Sequence, residues 1–266
     1  ILIIISICIY YFYNNNNNNN NIEEFLTTPS WGQLGSSIPG ASANDKSGYS
    51  VSLSANGTTV AIGAPGTPGN NGNGTDSGHV RIYKYDGTRW TQKGISIPGA
   101  SVNDQSGESV SLSSDGTIVA IGAIYNDVNG TRSGHVRIFQ WNETNWEQLG
   151  SDIDGDSVSL SSDGKIVAIG APGNNNWSGQ VRIFEYDENT SSWGQLGQEI
   201  NGEATGDYSG LSVSFGVSVS LSSDGTIVAI GAPGNNNWSG YVRIYKISPI
   251  DCVGSFVNDG VCVADN

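Results

Sequence analysis

Over residues 108–113 the chain alternates strictly, with Val110 and Leu112 set between serines. A period of two is the pattern of a half-buried strand. Asp115-Gly116 follows, a strong hairpin signal, because a two-residue turn of the favoured type needs positive φ. The run TIVAIGA at 117–123 then places Val119 and Ile121 on one face and Ala120 on the other. After a polar loop, HVRIFQW at 135–141 alternates again, with Val136 and Ile138 expected inward and Arg137 outward. A polar turn leads to a fourth short strand around Trp146. One stretch of sequence thus predicts a four-stranded antiparallel meander.

The chain repeats this pattern four times. Trp31, Trp90, Trp146 and Trp193 mark the copies, at spacings of 59, 56 and 47 residues. The other hairpins are Asn56-Gly57, Asp163-Gly164 and Asp224-Gly225. The other third strands carry Val80/Ile82, Val181/Ile183 and Val242/Ile244. Small residues at Ala61, Ala120, Ala168 and Ala229 would let neighbouring repeats approach closely. Repeats of this length built only from strands predict an all-β chain, a β-propeller of four-stranded antiparallel blades. Four blades are visible over residues 31–247, as a closed small ring or as part of a larger one. Residues 31–35, WGQLG, have the form of a fourth strand and are expected to close the last blade like a clasp. The third repeat is short and should have a clipped leading loop.

The flanks differ from the repeats. Residues 1–13 are apolar throughout, too few to span a bilayer, and match the middle of a signal peptide or the remnant of a membrane helix. A buried first strand is the structural alternative. The segment offers a route to membrane association and to the secretory pathway. Residues 14–30 open with eight consecutive Asn and form a linker that cannot bury apolar surface. Residues 248–266 are a tail in which Cys252 and Cys262 stand close enough for a small disulfide loop. Seven N-x-S/T sequons, at Asn56, Asn73, Asn129, Asn142, Asn176, Asn189 and Asn237, fall in predicted turns. On a secretory route they are candidates for N-glycosylation.

Charge narrows the partners. The formal net charge is −14, which repels phosphate backbones, so no nucleic-acid partner is expected. His79 and His135 are the only histidines and occupy one repeat position, which favours a structural role over a catalytic one. Asp45, Asp104 and Asp207 recur before the first strands; as acid and base they would suit a glycosidase, yet they too are repeat letters. Arg81, Arg137, Arg182 and Arg243 also repeat, and are expected to form strand-face ion pairs with neighbouring Asp. The loops between second and third strands vary most, and variable loops on a rigid frame are where binding usually sits. Trp177 and Trp238 hold matching positions there and could stack on a sugar or anchor a protein partner.

The phrase SFGVSVSLSSDGTIVAIGAPG at 214–234 resembles the FG-GAP repeat of integrin alpha-subunit propellers. Phe215-Gly216 and Gly231-Ala232-Pro233 are the two halves of the name; Gly63-Ala64-Pro65 and Gly170-Ala171-Pro172 repeat the second half, and Ile124 replaces Pro in the remaining copy. The resemblance implies a surface or secreted propeller serving adhesion or ligand binding. Family blades that bind calcium use a D-x-D/N-x-D-G-x-x-D loop, and here the matching positions are Ser111, Ser113, Asp115 and Val119. One carboxylate is a poor set for a hard cation, so calcium is not carried over and no cofactor is expected. The expected function is non-enzymatic recognition of an extracellular protein or glycan. A spacer within a larger membrane protein and a polysaccharide-active enzyme are the alternatives. The enzyme would need unique, non-repeated acids in a central cleft.

Overall fold

The computed structural model describes residues 30–66, 76–125, 134–173, 178–203, 219–234 and 239–248, with the backbone of 255–258 and 261–264. Contacts divide the chain into residues 1–34 and residues 35–266. Of the first unit only 30–34 are described. The expected clasp is not formed: residues 31–35 make no strand and Trp31 is fully exposed. In the other copies an aromatic from the preceding third strand meets the Trp, as in Tyr85–Trp90 and Tyr186–Trp193 at 5.2 Å and Trp141–Trp146 at 5.5 Å between centroids.

The second unit is all-β. Blade one comprises β1 (Ser50–Leu53), β2 (Thr59–Ala64), β3 (His79–Tyr85), β4 (Trp90–Gln92) and β5 (Ile97–Pro98). Blade two comprises β6 (Ser109–Leu112), β7 (Ile118–Ala123), β8 (His135–Trp141) and β9 (Trp146–Gln148). Blade three comprises β10 (Ser157–Leu160), β11 (Ile166–Ala171), β12 (Gln180–Asp187), β13 (Ser192–Gln195) and β14 (Ile200–Asn201). Blade four shows β15 (Val219–Leu221), β16 (Ile227–Ala232) and β17 (Tyr241–Lys246). Each sheet is an antiparallel meander in chain order. The register repeats: Leu53↔Val60, Leu112↔Val119, Leu160↔Val167 and Leu221↔Val228. The outer strand is broken in two, so that β4 and β5 both pair β3, as β13 and β14 both pair β12. The fold is a β-propeller. In the tail, β18 (Ser255–Asn258) and β19 (Val261–Ala264) form a further hairpin that the sequence reading leaves as plain tail.

The hairpins between first and second strands fall where Asn-Gly and Asp-Gly predict them, but they are wider than two residues. Gly116 N–H donates to the Ser113 carbonyl at 3.0 Å, and only the glycine of the pair has positive φ, +71°. Side chains hold this wider turn. Ser113 Oγ donates to Asp115 at 2.7 Å and accepts from Ile118 N–H at 2.9 Å, while Asp115 accepts Thr117 N–H and Thr117 Oγ. Ser161/Asp163 and Ser222/Asp224 repeat the latch, and Ser54/Asn56 keeps its amide version. Ser113→Ala leaves the Ile118 N–H buried and unpartnered and is expected to cost about 1–3 kcal/mol in urea unfolding.

The core lies between blades, not within them. Ala61, Val80 and Ile82 of blade one pack on Val110, Leu112, Val119 and Ile121 of blade two. Ala120, Val136 and Ile138 of blade two meet Val158, Leu160, Val167 and Ile169 of blade three. Ala168 and Val181 of blade three meet Val219, Val228 and Ile230 of blade four. A middle blade is therefore covered on both faces, which corrects the expectation that Arg137 points outward. Arg81 and Arg137 are buried. Arg137 stacks on Phe139 at 5.3 Å and donates to the Pro98 carbonyl at 2.6 Å. Arg81 and Arg182 likewise donate to the Pro39 and Asp154 carbonyls. The repeated arginines thus tie down the loop between blades, and a carboxylate ion pair is seen for Arg243, with Glu203.

Candidate functional site

An antiparallel meander puts its connections alternately at two ends. The first-to-second and third-to-fourth turns share one end, the turn end. The second-to-third connections and the links between blades share the other, the loop end. The loop end is stitched across: Gly66 N–H donates to Asp45 O, Gln105 to Asp76 O, Ser106 to Ser77 O and Gly202 to Gly179 O. The connections richest in sequence variation thus start and finish on a fixed rim.

Asp45 and Asp104 brace that rim. Asp45 is buried and accepts N–H bonds from Ala41, Ser42 and Ser47. Burial pushes its carboxyl up, but the amides of Ser47, Ala41 and Ser42 outweigh it and hold it below the usual range. Asp104, also buried, accepts from Ser101 N–H at 2.6 Å. Both carboxylates are engaged in holding backbone. His79 and His135 are buried at the start of β3 and β8 and pair with Ala64 and Ala123. Burial and the adjacent Arg81 or Arg137 depress both imidazoles, keeping them neutral.

Two further acids stand at the loop-end start of the innermost strands, and sequence reasoning missed them. Glu108 precedes β6 and accepts the Tyr49 hydroxyl at 3.1 Å. Asp156 precedes β10 and is buried, with Oδ1 lacking a hydrogen-bond partner. Its N–H bonds Gly170 O where Gly48 and Gly107 bond Gly63 O and Gly122 O. The short third repeat therefore puts an Asp where its neighbours have Gly. Burial raises the Glu108 carboxyl against Tyr49 and Lys46. Burial and then Glu108 raise Asp156 well above the ordinary value, against one N–H from Ser157. The available signal was a non-repeated acid at a repeated position.

The sequence-predicted contacts Trp177 and Trp238 lie outside the described residues, as do Asp207, Asn73, Asn129, Asn176, Asn237 and Cys252. Cys262 is opposite Val257 in the tail hairpin. Asn56, Asn142 and Asn189 are exposed and all lie at the turn end. A shallow cleft of about 280 Å³, lined by Ile118, Leu149, Lys165 and Tyr186 among others, also lies at the turn end, away from the rim. Among the described residues no three His, Cys, Asp or Glu side chains gather as a metal cage. Asp115, Asp163 and Asp224, the remnants of the calcium-loop pattern, are engaged in the turn latches.

The strand frame, its Gly-Ala triplets and the turn latch point to one repeat. Residues 90–139 match the family model of the FG-GAP repeat. No curated protein matches the chain. Among solved structures it is similar to the periplasmic gluconolactonase of Pseudomonas aeruginosa, at 14% identity and TM-score 0.47 over 76% of this chain and 58% of that one. It is also similar to Sqt1 of Chaetomium thermophilum, at 15% and 0.48 over 77% and 45%. TolB of Acinetobacter baumannii matches at 16% and 0.40 over 79% and 46%. The chain spans about half the length of these solved structures.

Proposed function

We propose that this FG-GAP-repeat propeller is a non-enzymatic, extracellular or cell-surface recognition module that binds a protein or glycan through its loop end. One contrast supports the reading. The turn-end hairpins repeat one latch in every blade, whereas the loop-end connections of blades one and two differ in length and sequence from each other and from the shared PGNNNWSG of blades three and four, on a rim held by Asp45, Asp104 and the arginines. A rigid frame with one invariant end and one varied end is the layout of a binding scaffold.

The 266-residue chain, purified in mild detergent and displayed multivalently, is expected to bind one ligand class saturably on arrays of glycans and extracellular-matrix proteins. Trp177→Ala with Trp238→Ala should weaken that binding by about 30-fold, as loss of an aromatic anchor does. Folded, multivalent protein that binds nothing across the panel would favour the spacer reading.

A further inference from the structure

The two ends of the blade series are complementary halves of one joint. Among the described residues three joints lie between blades, and each uses the same positions. The first-strand pair on the incoming side is Val110/Leu112, then Val158/Leu160, all at most 8% exposed. Blade one presents the same pair, Val51 and Leu53, at 64% and 58%. The third-strand pair on the receiving side is Val80/Ile82, then Val136/Ile138, all at most 1% exposed. Blade four presents that pair, Val242 and Ile244, at 69% and 72%. Apolar patches of this kind on a soluble surface mark an interaction site.

Polar groups follow the same phase. At each internal joint a first-strand leucine N–H donates to a serine of the blade before: Leu112 to Ser52, Leu160 to Ser111, Leu221 to Ser159, at 2.9–3.0 Å. The next members of this series are Leu53 N–H at one end and the exposed Ser220 hydroxyl at the other. The turns are linked as well, Ala55 N–H to Ser114 O, Ser114 to Ser162 O and Ser162 to Ser223 O. That ladder continues with Ser223 N–H at one end and Ala55 O at the other. Each turn glycine also covers a residue of the preceding blade, Gly164 over Ile118 and Gly225 over Ile166. Ile227, the next in that series, is left 39% exposed.

We infer that a second copy of this chain completes the propeller head to tail, with Val51 and Leu53 of each copy seated on the partner's Val242 and Ile244. Both the apolar pairs and the hydrogen-bond series match in phase only in this orientation. A face-to-face joint would set donor against donor. The contact is heterologous, and such contacts form a ring when the rotation closes. Two copies bring eight blades, within the range propellers adopt. The joint uses the flat blade faces and leaves the loop end clear, so it does not depend on the proposed recognition function.

Sedimentation equilibrium of the 266-residue chain in mild detergent, at tens of micromolar, is expected to give twice the 27.9 kDa chain mass. Leu53→Glu blocks one face and Ile244→Glu the other; each alone should be monomeric, with self-affinity weakened roughly 100-fold by a charge in an apolar joint. Mixed together, they should form a one-to-one heterodimer, because each retains the face the other has lost. Circular dichroism should show both variants folded, since the two sites are already exposed. A monomeric parent chain would overturn the inference. So would single variants that remain dimeric, or a mixture that stays monomeric. A ladder of higher multiples would overturn the closed ring.

Discussion

Gly122→Ala is expected to destabilise the propeller by about 3 kcal/mol, the upper range for overpacking a dense interior. Gly122 is the glycine of the Gly-Ala pair that ends β7, opposite Ser109 in the register. A Cβ there would overlap the carbonyl oxygen of Asp156, which belongs to the next blade. That obstacle is backbone, fixed by the Asp156 N–H to Gly170 O bond at 2.8 Å, so it cannot rotate aside. Gly63 meets Gly107 O in the same way, which makes the clash a property of the joint. Urea unfolding checks the value, with Gly194→Ala as the control, since a Cβ there meets only the Glu185 carbonyl oxygen at 4.0 Å. A loss at Gly122 no larger than at Gly194 would mean that successive blades do not approach as described.

This contact shows what was legible and what was not. The alternation and the Asn/Asp-Gly pairs gave every first, second and third strand of the four blades, because both are local signals of strand and turn. Of the alanines expected to mark close approach, Ala61, Ala120 and Ala168 are buried between blades, whereas Ala229 in blade four is only half-buried. The tightest approach, however, is at the glycine two residues on, where a neighbour's backbone enters. No local pattern reports that. The arginines failed for a related reason: alternation says that Arg137 and Val136 face opposite ways, but not that both directions are covered. The tail hairpin was within reach, since Asp259-Gly260 sits between two short apolar runs. Residues 31–35 copy the sequence of a fourth strand but form none, since a short motif by itself does not make a strand. Of the candidate site, the repeated acids were legible as structural. Glu108 and Asp156 were not: Glu108 replaces the Tyr49 of the first repeat with nothing local to mark its burial, and a deletion in the third repeat puts Asp156 at the buried glycine position.

That shift carries the second large effect, Asp156→Asn. The Asp156 carboxyl is buried, faces Glu108 and has one oxygen without a partner. Its protonation is favoured in the fold, while the unfolded chain releases the proton near 3.8. Between that value and the raised one, the folded state binds more protons than the unfolded state. Stability therefore falls as pH rises through the window and returns as pH falls towards 3.8. Glu108, raised from 4.5 by burial, adds to the same slope. An asparagine keeps the shape and removes the charge. Asp156→Asn should therefore raise stability at pH 8 by about 1–3 kcal/mol, the scale for relieving an unsatisfied buried polar group. The gain should shrink towards zero near pH 4. Glu108→Gln combined with it should add less than its own effect, because the two carboxyls share one repulsion. Calorimetric melting from pH 4 to pH 8 reads all three variants. A loss of stability at pH 8 in Asp156→Asn would mean that the carboxylate is ionised and held by a cation at the mouth of the inner strands. The loop end would then carry a charged centre where burial and the repulsion of Glu108 now raise the Asp156 carboxyl.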